Sequence, residues 1–156
     1  MPIPQKGSKA PDFDLPGSND RRIALKHLKG KNVVVYFYPK DDTPGCTVEA
    51  CGLRDSFKEI EKLGAVVLGV SPDSVVSHGK FISKFHLPFI LLADEDKKMC
   101  KDYGVWVEKS MYGKKYMGVA RTTFIIDKNG MIAQVFEKVK PEGHNSEIIN
   151  SLKTLL

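Results

Sequence analysis

Val33-Val34-Val35-Tyr36-Phe37-Tyr38-Pro39-Lys40-Asp41-Asp42-Thr43-Pro44-Gly45-Cys46 is the stretch on which the fold turns. Six β-branched and aromatic residues in unbroken succession predict a strand buried on both faces, as in the middle of a mostly parallel sheet. Pro39 ends that run, and Lys40-Asp41-Asp42 is a polar loop. Thr43 followed by Pro44 reads as a helix N-cap and first helical position. A buried strand therefore hands over, through a short loop, to a helix whose first turn carries a cysteine.

Working outward, the helix is expected to run to about Lys62 and close at Gly64. Ala65 to Val70 predicts a second buried strand, and Ser74 to His86 a second helix that stops before Pro88. Phe89 to Ala93 follows as a short strand, then Glu95 to Tyr103 as a short helix capped by Gly104. Val105 to Gly118 has the pattern of a hairpin-like excursion around Gly113. Thr122 to Ile126 and Met131 to Phe136 flank Asp127-Lys128-Asn129-Gly130, a strong hairpin signal. A last helix is expected from about Glu142 to Leu155. In the other direction, Met1 to Pro16 carries prolines at 2, 4, 11 and 16 and reads as an extended arm. A βαβ core followed by a hairpin and a helix predicts an α/β chain with a thioredoxin-like layout: one domain over residues 1–156, with a central mixed sheet flanked by helices.

Composition narrows the function classes. The 156 residues are 42% hydrophobic and 28% charged, as in an ordinary globular domain. The longest apolar run, Val33 to Tyr38, falls far short of the ~20 residues that span a bilayer. It is also too short for a signal-peptide core, so a cytoplasmic location is expected. The +5 net charge, from 24 Lys and Arg against 19 Asp and Glu, raises the question of nucleic acid. The basic residues come in short pairs with acids close by, as at Lys97-Lys98 and Lys114-Lys115, which reads as solvated surface and not as a specific nucleic-acid site. Cys46, Cys51 and Cys100 are too few for a secreted disulfide scaffold, and Cys-x4-Cys is not zinc-finger spacing. The histidines at 27, 78, 86 and 144 are scattered. Neither a metal nor a nucleotide cofactor is expected, since no Gly-x-Gly-x2-Gly or phosphate-loop pattern is present.

Ala50, Leu53, Phe57 and Ile60 recur at helical spacing and form an apolar stripe, and Cys46, seven residues before Leu53, lies on the same side. A buried free cysteine is often only a small apolar residue. Cys46, however, falls where the first-turn N–H groups lack helical partners and the helix dipole favours an anion, which is to say a thiolate. It also follows the carboxyl end of a strand, where α/β sheets place their ligands. Cys51 falls on the opposite side with Asp55, Lys58 and Lys62. It is either a neutral surface residue or a thiol that attacks an oxidised Cys46. Cys100 reads as structural or incidental.

Phe37-Tyr38-Pro39-Lys40-Asp41-Asp42-Thr43-Pro44-Gly45-Cys46-Thr47-Val48-Glu49-Ala50-Cys51 resembles the active-site signature of the peroxiredoxins, Pro-x3-Thr/Ser-x2-Cys, met here by Pro39, Thr43 and Cys46. The second cysteine narrows the resemblance to the bacterioferritin comigratory protein, or peroxiredoxin Q, branch. The likeness continues in order through Gly69-Val70-Ser71-Pro72-Asp73, Leu87-Pro88-Phe89 and Gly118-Val119-Ala120-Arg121-Thr122-Thr123-Phe124-Ile125-Ile126-Asp127, and so covers nearly the whole chain.

The resemblance implies a thiol-dependent peroxidase for hydrogen peroxide and organic hydroperoxides. In it Cys46 is the peroxidatic cysteine, whose thiolate becomes a sulfenic acid, and Cys51 the resolving cysteine. Thr43 hydrogen-bonds peroxide and thiolate, and Pro39 shields the pocket from water. Arg121 is the active-site arginine, oriented by Glu49. An intramolecular Cys46–Cys51 disulfide is recycled by thioredoxin, in a chain expected to be a monomer without bound cofactor. Elementary physics agrees with part of this. The leaving oxygen develops negative charge, which a permanent cation such as Arg121 stabilises. Taken alone, Arg121 reads equally as a strand residue in an ion pair, Thr43 as an N-cap, and Glu49 as an ordinary first-turn acid. The alternative function, a protein dithiol–disulfide oxidoreductase, calls for Cys-x2-Cys and not this spacing. Five residues on a helix separate two Cα atoms by roughly 8–9 Å, against a limit near 7 Å for a disulfide, so the bond is expected to require unwinding.

Overall fold

The computed structural model describes residues 2–156. Two short strands, β1 (Asp14–Pro16) and β2 (Arg22–Ala24), pair antiparallel and lead through a 3-10 turn at Leu25–Leu28 into β3 (Asn32–Phe37). Then come α1 (Pro44–Asp55), α2 (Phe57–Lys62), β4 (Ala65–Ser71), α3 (Val75–Phe85), β5 (Ile90–Ala93) and α4 (Lys98–Asp102). The antiparallel hairpin β6 (Trp106–Met111) and β7 (Lys114–Val119) precedes β8 (Thr122–Ile126), β9 (Ile132–Phe136) and α5 (His144–Lys153). The main sheet has the order β5-β4-β3-β8-β9. β3 runs parallel to β4, and β4 to β5, while β8 is antiparallel to both β3 and β9. This is the mixed, thioredoxin-like sheet that the succession of elements implies.

β3 lies in the middle, and the alternation of its side chains explains its unbroken apolar run. Val33, Val35 and Phe37 enter a core with Leu68, Phe124, Met99, Tyr103 and the arm residues Ala10 and Phe13. Val34 and Tyr36, with Tyr38 beyond the strand, enter a second core with Ala50, Leu53, Ile60, Phe81, Ile148 and Leu152, which come from α1, α2, α3 and α5. Each large side chain buried in this way contributes about 1.5–3 kcal/mol, so a polar residue anywhere along β3 would be costly. Gly69 pairs with Tyr36 across the ladder. A Cβ there would stand 2.6 Å from Leu91 Cδ2 and 2.8 Å from Tyr36 Cζ, so only glycine leaves room for the ring.

Three expectations change. The helix expected from Thr43 to Lys62 is broken at Ser56, whose backbone (φ −99°, ψ 3°) departs from the helix while Asn145 of α5 donates to its hydroxyl at 2.7 Å. The helix expected over Glu95–Tyr103 is confined to Lys98–Asp102. The Asp94 carboxylate accepts the N–H groups of Met99 and Cys100, and Lys97 adopts a left-handed conformation, so the helix starts late. The arm expected over Met1 to Pro16, of which Met1 lies outside the described residues, is not extended throughout: it turns at Lys6–Gly7, and its last residues pair as β1, a three-residue strand too short to leave a periodic signal.

Candidate active site

Pro39 to Thr43 links the carboxyl end of β3 to α1, at the edge of the sheet where parallel strands end. Thr43 occupies the N-cap position with extended backbone, and Pro44 is the first helical residue. The Thr43 side chain makes no capping bond. Its hydroxyl donates to the Lys40 carbonyl at 3.0 Å, so its single hydrogen closes the loop and does not point to a sulfur. Its lone pairs remain acceptors toward a ligand. Pro39 is half-buried beside it.

Cys46 sits in the first turn of α1 and is 1% exposed. Arg121, between β7 and β8, reaches across from the other half of the fold. Its Nη2 donates to Cys46 Sγ at 3.1 Å, and its Nη1 donates to Glu49 Oε1 at 3.3 Å. The guanidinium thereby sets a permanent positive charge against the sulfur. Gly45 makes the approach possible: a Cβ there would lie 2.8 Å from Arg121 Nη2. Glu49, one turn after Cys46, is buried. Burial pushes its carboxyl up to about 7, against the opposing pull of Arg121, and its Oε2 has no hydrogen-bond partner among the described residues. The Tyr36 hydroxyl is likewise buried and unpartnered among them, and burial, reinforced by Glu49 and Cys46, raises it well above the ordinary phenol value.

The structure thus joins Cys46, Glu49 and Arg121 by hydrogen bonds and sets Thr43 and Pro39 on the adjoining loop. Cys51 is a free, half-buried thiol on the same intact helix. Cys100 is buried, with its thiol pushed up by burial and by Asp94. Two features are absent from any sequence pattern. Lys109 of β6 lies in the field of both Arg121 and Cys46, and burial with Arg121 lowers its ammonium from the usual range. Asp41 and His78 form a buried pair at 2.8 Å. Asp41, His78 and Asp73 bring ligand-type atoms within 4.8 Å of one another, and Asp41 Oδ2, His78 Nδ1 and Asp73 Oδ2 are already engaged in hydrogen bonds. A separate groove of about 670 Å³, lined by Asp12, Arg22, Glu95 and Lys98 among others, contains none of the site residues.

Residues 6–135 match the AhpC/TSA family. Peroxiredoxin Bcp of Bacillus subtilis is 48% identical over 149 residues, covering 96% of this chain and 95% of its own. A cysteine-to-serine variant of PrxQ from Xylella fastidiosa superposes with a TM-score of 0.93 at 34% identity, over 99% of each chain. The bacterioferritin comigratory protein of Xanthomonas campestris, solved as trapped intermediate and ligand complexes bearing on alkyl peroxide reduction, gives a TM-score of 0.87 at 39% identity, over 92% of this chain and 90% of its own.

Proposed function

Since the chain belongs to the AhpC/TSA family and is a peroxiredoxin, a thiol-dependent peroxidase, we propose that Cys46 is its peroxidatic cysteine, acting within one domain over residues 1–156. The observation that carries this is the fork of Arg121, with one nitrogen on Cys46 Sγ at 3.1 Å and the other on Glu49 at 3.3 Å.

In the first step the Cys46 thiolate attacks the terminal oxygen of a hydroperoxide. An S–O bond forms, the O–O bond breaks with its electron pair, and the departing alkoxide or hydroxide takes a proton to leave as alcohol or water. Arg121 stabilises the sulfur anion before attack and the oxygen charge during it. Glu49 fixes the plane of the guanidinium, Thr43 accepts a hydrogen bond from the peroxide, and Pro39 limits water. In the second step the Cys51 thiol displaces hydroxide from the Cys46 sulfenic acid, forming the disulfide and releasing water. A dithiol reductant of the thioredoxin type then returns both thiols by exchange. Hydrogen peroxide and organic hydroperoxides are the substrate class. Monomeric action and a cytoplasmic location complete the reading; among the described residues no helix is long and apolar enough to cross a membrane.

The test is consumption of a reduced thioredoxin system on addition of peroxide. Cys46→Ser should abolish it. Cys51→Ser should keep one turnover of peroxide and lose recycling by thioredoxin. Peroxide turnover that survives Cys46→Ser removes this assignment, and thioredoxin oxidation without peroxide favours the protein dithiol–disulfide reading.

A further inference from the structure

We propose that Asp41 and His78 are positioning residues for Cys46: as a pair they fasten the loop that leads into α1 and hold the start of that helix in its attacking form. This rests on Cys46 being the reacting cysteine. The argument begins with how much is bound to one carboxylate. Asp41 accepts from the Tyr38 hydroxyl at 2.6 Å, from the Ser77 hydroxyl at 2.7 Å and from His78 Nδ1 at 2.8 Å. Its backbone N–H donates to Asp73 Oδ2 at 2.8 Å, an oxygen that also accepts from the Ser71 hydroxyl at 2.7 Å. The loop is thereby tied to the end of β3, the end of β4 and the first turns of α3.

His78 is fully buried, and its Nε2 meets the Leu92 carbonyl of β5 at 2.9 Å. A carbonyl only accepts, so Nε2 carries a hydrogen. Together with the hydrogen bond between Nδ1 and the Asp41 carboxylate, this anchors the pair in the sheet. None of these hydrogen bonds reaches Cys46, Glu49 or Arg121. The pair therefore acts through the backbone. Four residues separate Asp41 from Cys46, and the first three are stiff: Asp42 is held at φ 56°, Thr43 is extended, and Pro44 is locked by its ring. Asp42 occupies a left-handed conformation that a residue with a Cβ enters only at a cost. The strained residue is held on one side by the Asp41 network and on the other by an exposed ion pair with Lys84 at 2.8 Å. Releasing Asp41 lets Asp42 relax, and the first turn of α1 loses its fixed starting point.

Such a device has opposite effects on the two chemical steps. Peroxide attack needs the ordered first turn, whereas disulfide formation needs it undone. Single-turnover kinetics would be measured on wild type, Asp41→Asn, Asp41→Ala, His78→Ala and the double alanine variant. Attack is read by competition for hydrogen peroxide with a second peroxidase, and disulfide formation by rapid alkylation and mass. In each single variant attack should slow about tenfold and disulfide formation should accelerate severalfold. The double variant should be no slower than the worse single within about twofold, since two residues acting as one unit are not additive. Ile132→Ala, a core change in β9 far from this loop, should lower stability and leave both rates alone. If the alanine variants do not fold, Asp41→Asn and Ser77→Ala, which removes one of the three donors to Asp41, should still move the two rates in opposite directions. Unchanged rates in folded variants, additive effects, or both steps slowing together overturn the proposal. Cys46→Ser in the same competition separates it from the reading it rests on: attack that survives that change refutes the catalytic assignment, whereas a failed latch leaves that assignment intact.

Discussion

Glu49→Gln gives the sharpest check on the electrostatics of the site. In the folded protein the Glu49 carboxyl stands at about 7, against an ordinary value of 4.5, because burial outweighs Arg121. The folded state thus keeps a proton that the unfolded chain releases. Stability from this group is complete below about pH 4.5, falls as pH rises toward 7, and levels off above it. Between pH 5 and pH 8 the loss comes to about 2.5 kcal/mol. Glutamine keeps the oxygen that accepts from Arg121 and cannot ionise, so the variant should lack this slope altogether. Its amide nitrogen takes the place of Oε2, which has no partner among the described residues. That adds an offset of about 1–3 kcal/mol that does not vary with pH. The assay is urea unfolding at pH 5, 6, 7 and 8, with both proteins in a Cys46→Ser background so that the sulfur in contact with Arg121 is absent from both. Slopes that agree within about 0.5 kcal/mol across the range, or a wild type that gains stability relative to the variant as pH rises, would refute the reasoning.

Arg121→Ala should lower the peroxide rate constant about tenfold or more, near 1.4 kcal/mol of barrier, and Arg121→Lys should restore little because a point charge replaces the fork that spans Cys46 and Glu49; stopped-flow kinetics on folded variants decide it. Gly45→Ala should mimic part of that loss while favouring the helix, since its Cβ meets the guanidinium at 2.8 Å and pushes it off the sulfur; the expected signature is raised stability of α1 with slower peroxide attack. Amide exchange over residues 44–54 should speed up on oxidation to the Cys46–Cys51 disulfide, because an intact helix keeps the two Cα atoms roughly 8–9 Å apart; equal protection in both states, with the bond confirmed by mass, would sink the unwinding step.

Much of this was legible because β3 and α1 follow local rules. The double-faced burial of β3 is written in its composition, and the start of α1 in Thr43-Pro44. Cys46 could be placed on the inward stripe by counting turns from Leu53, and both are indeed buried. Glu49 reads as an ordinary first-turn acid from spacing alone, but α1 begins at Pro44 and puts it in the second turn, and only the fold reveals that its site is closed to water. Arg121 reached the site in the sequence through family likeness, as no local pattern brings residue 121 to residue 46. The hydroxyl of Thr43 donates to its own loop and does not accept from the helix N–H groups, a choice of partner that composition does not encode. The Asp41–His78 pair spans 37 positions and its partners are one-residue contributions from several elements, so no motif announces it. Ser56 reads as any polar residue in a helix, because the Asn145 side chain that holds it comes from 89 positions away.

That interruption at Ser56 has a mechanical meaning. A helix melts cooperatively, each turn leaning on the next, so a continuous rod from Pro44 to Lys62 would carry fraying at its start along its length. Here α1 and α2 are separate rods, with Ile60 of the second seated in the core beneath β4 and Ser56 tethered to α5. The joint acts as a firebreak. Unwinding of the segment that carries Cys46 and Cys51 would leave the rod behind it and the sheet below in register. If disulfide formation unwinds α1 as proposed, the joint keeps the disorder to a dozen residues, the length of that helix.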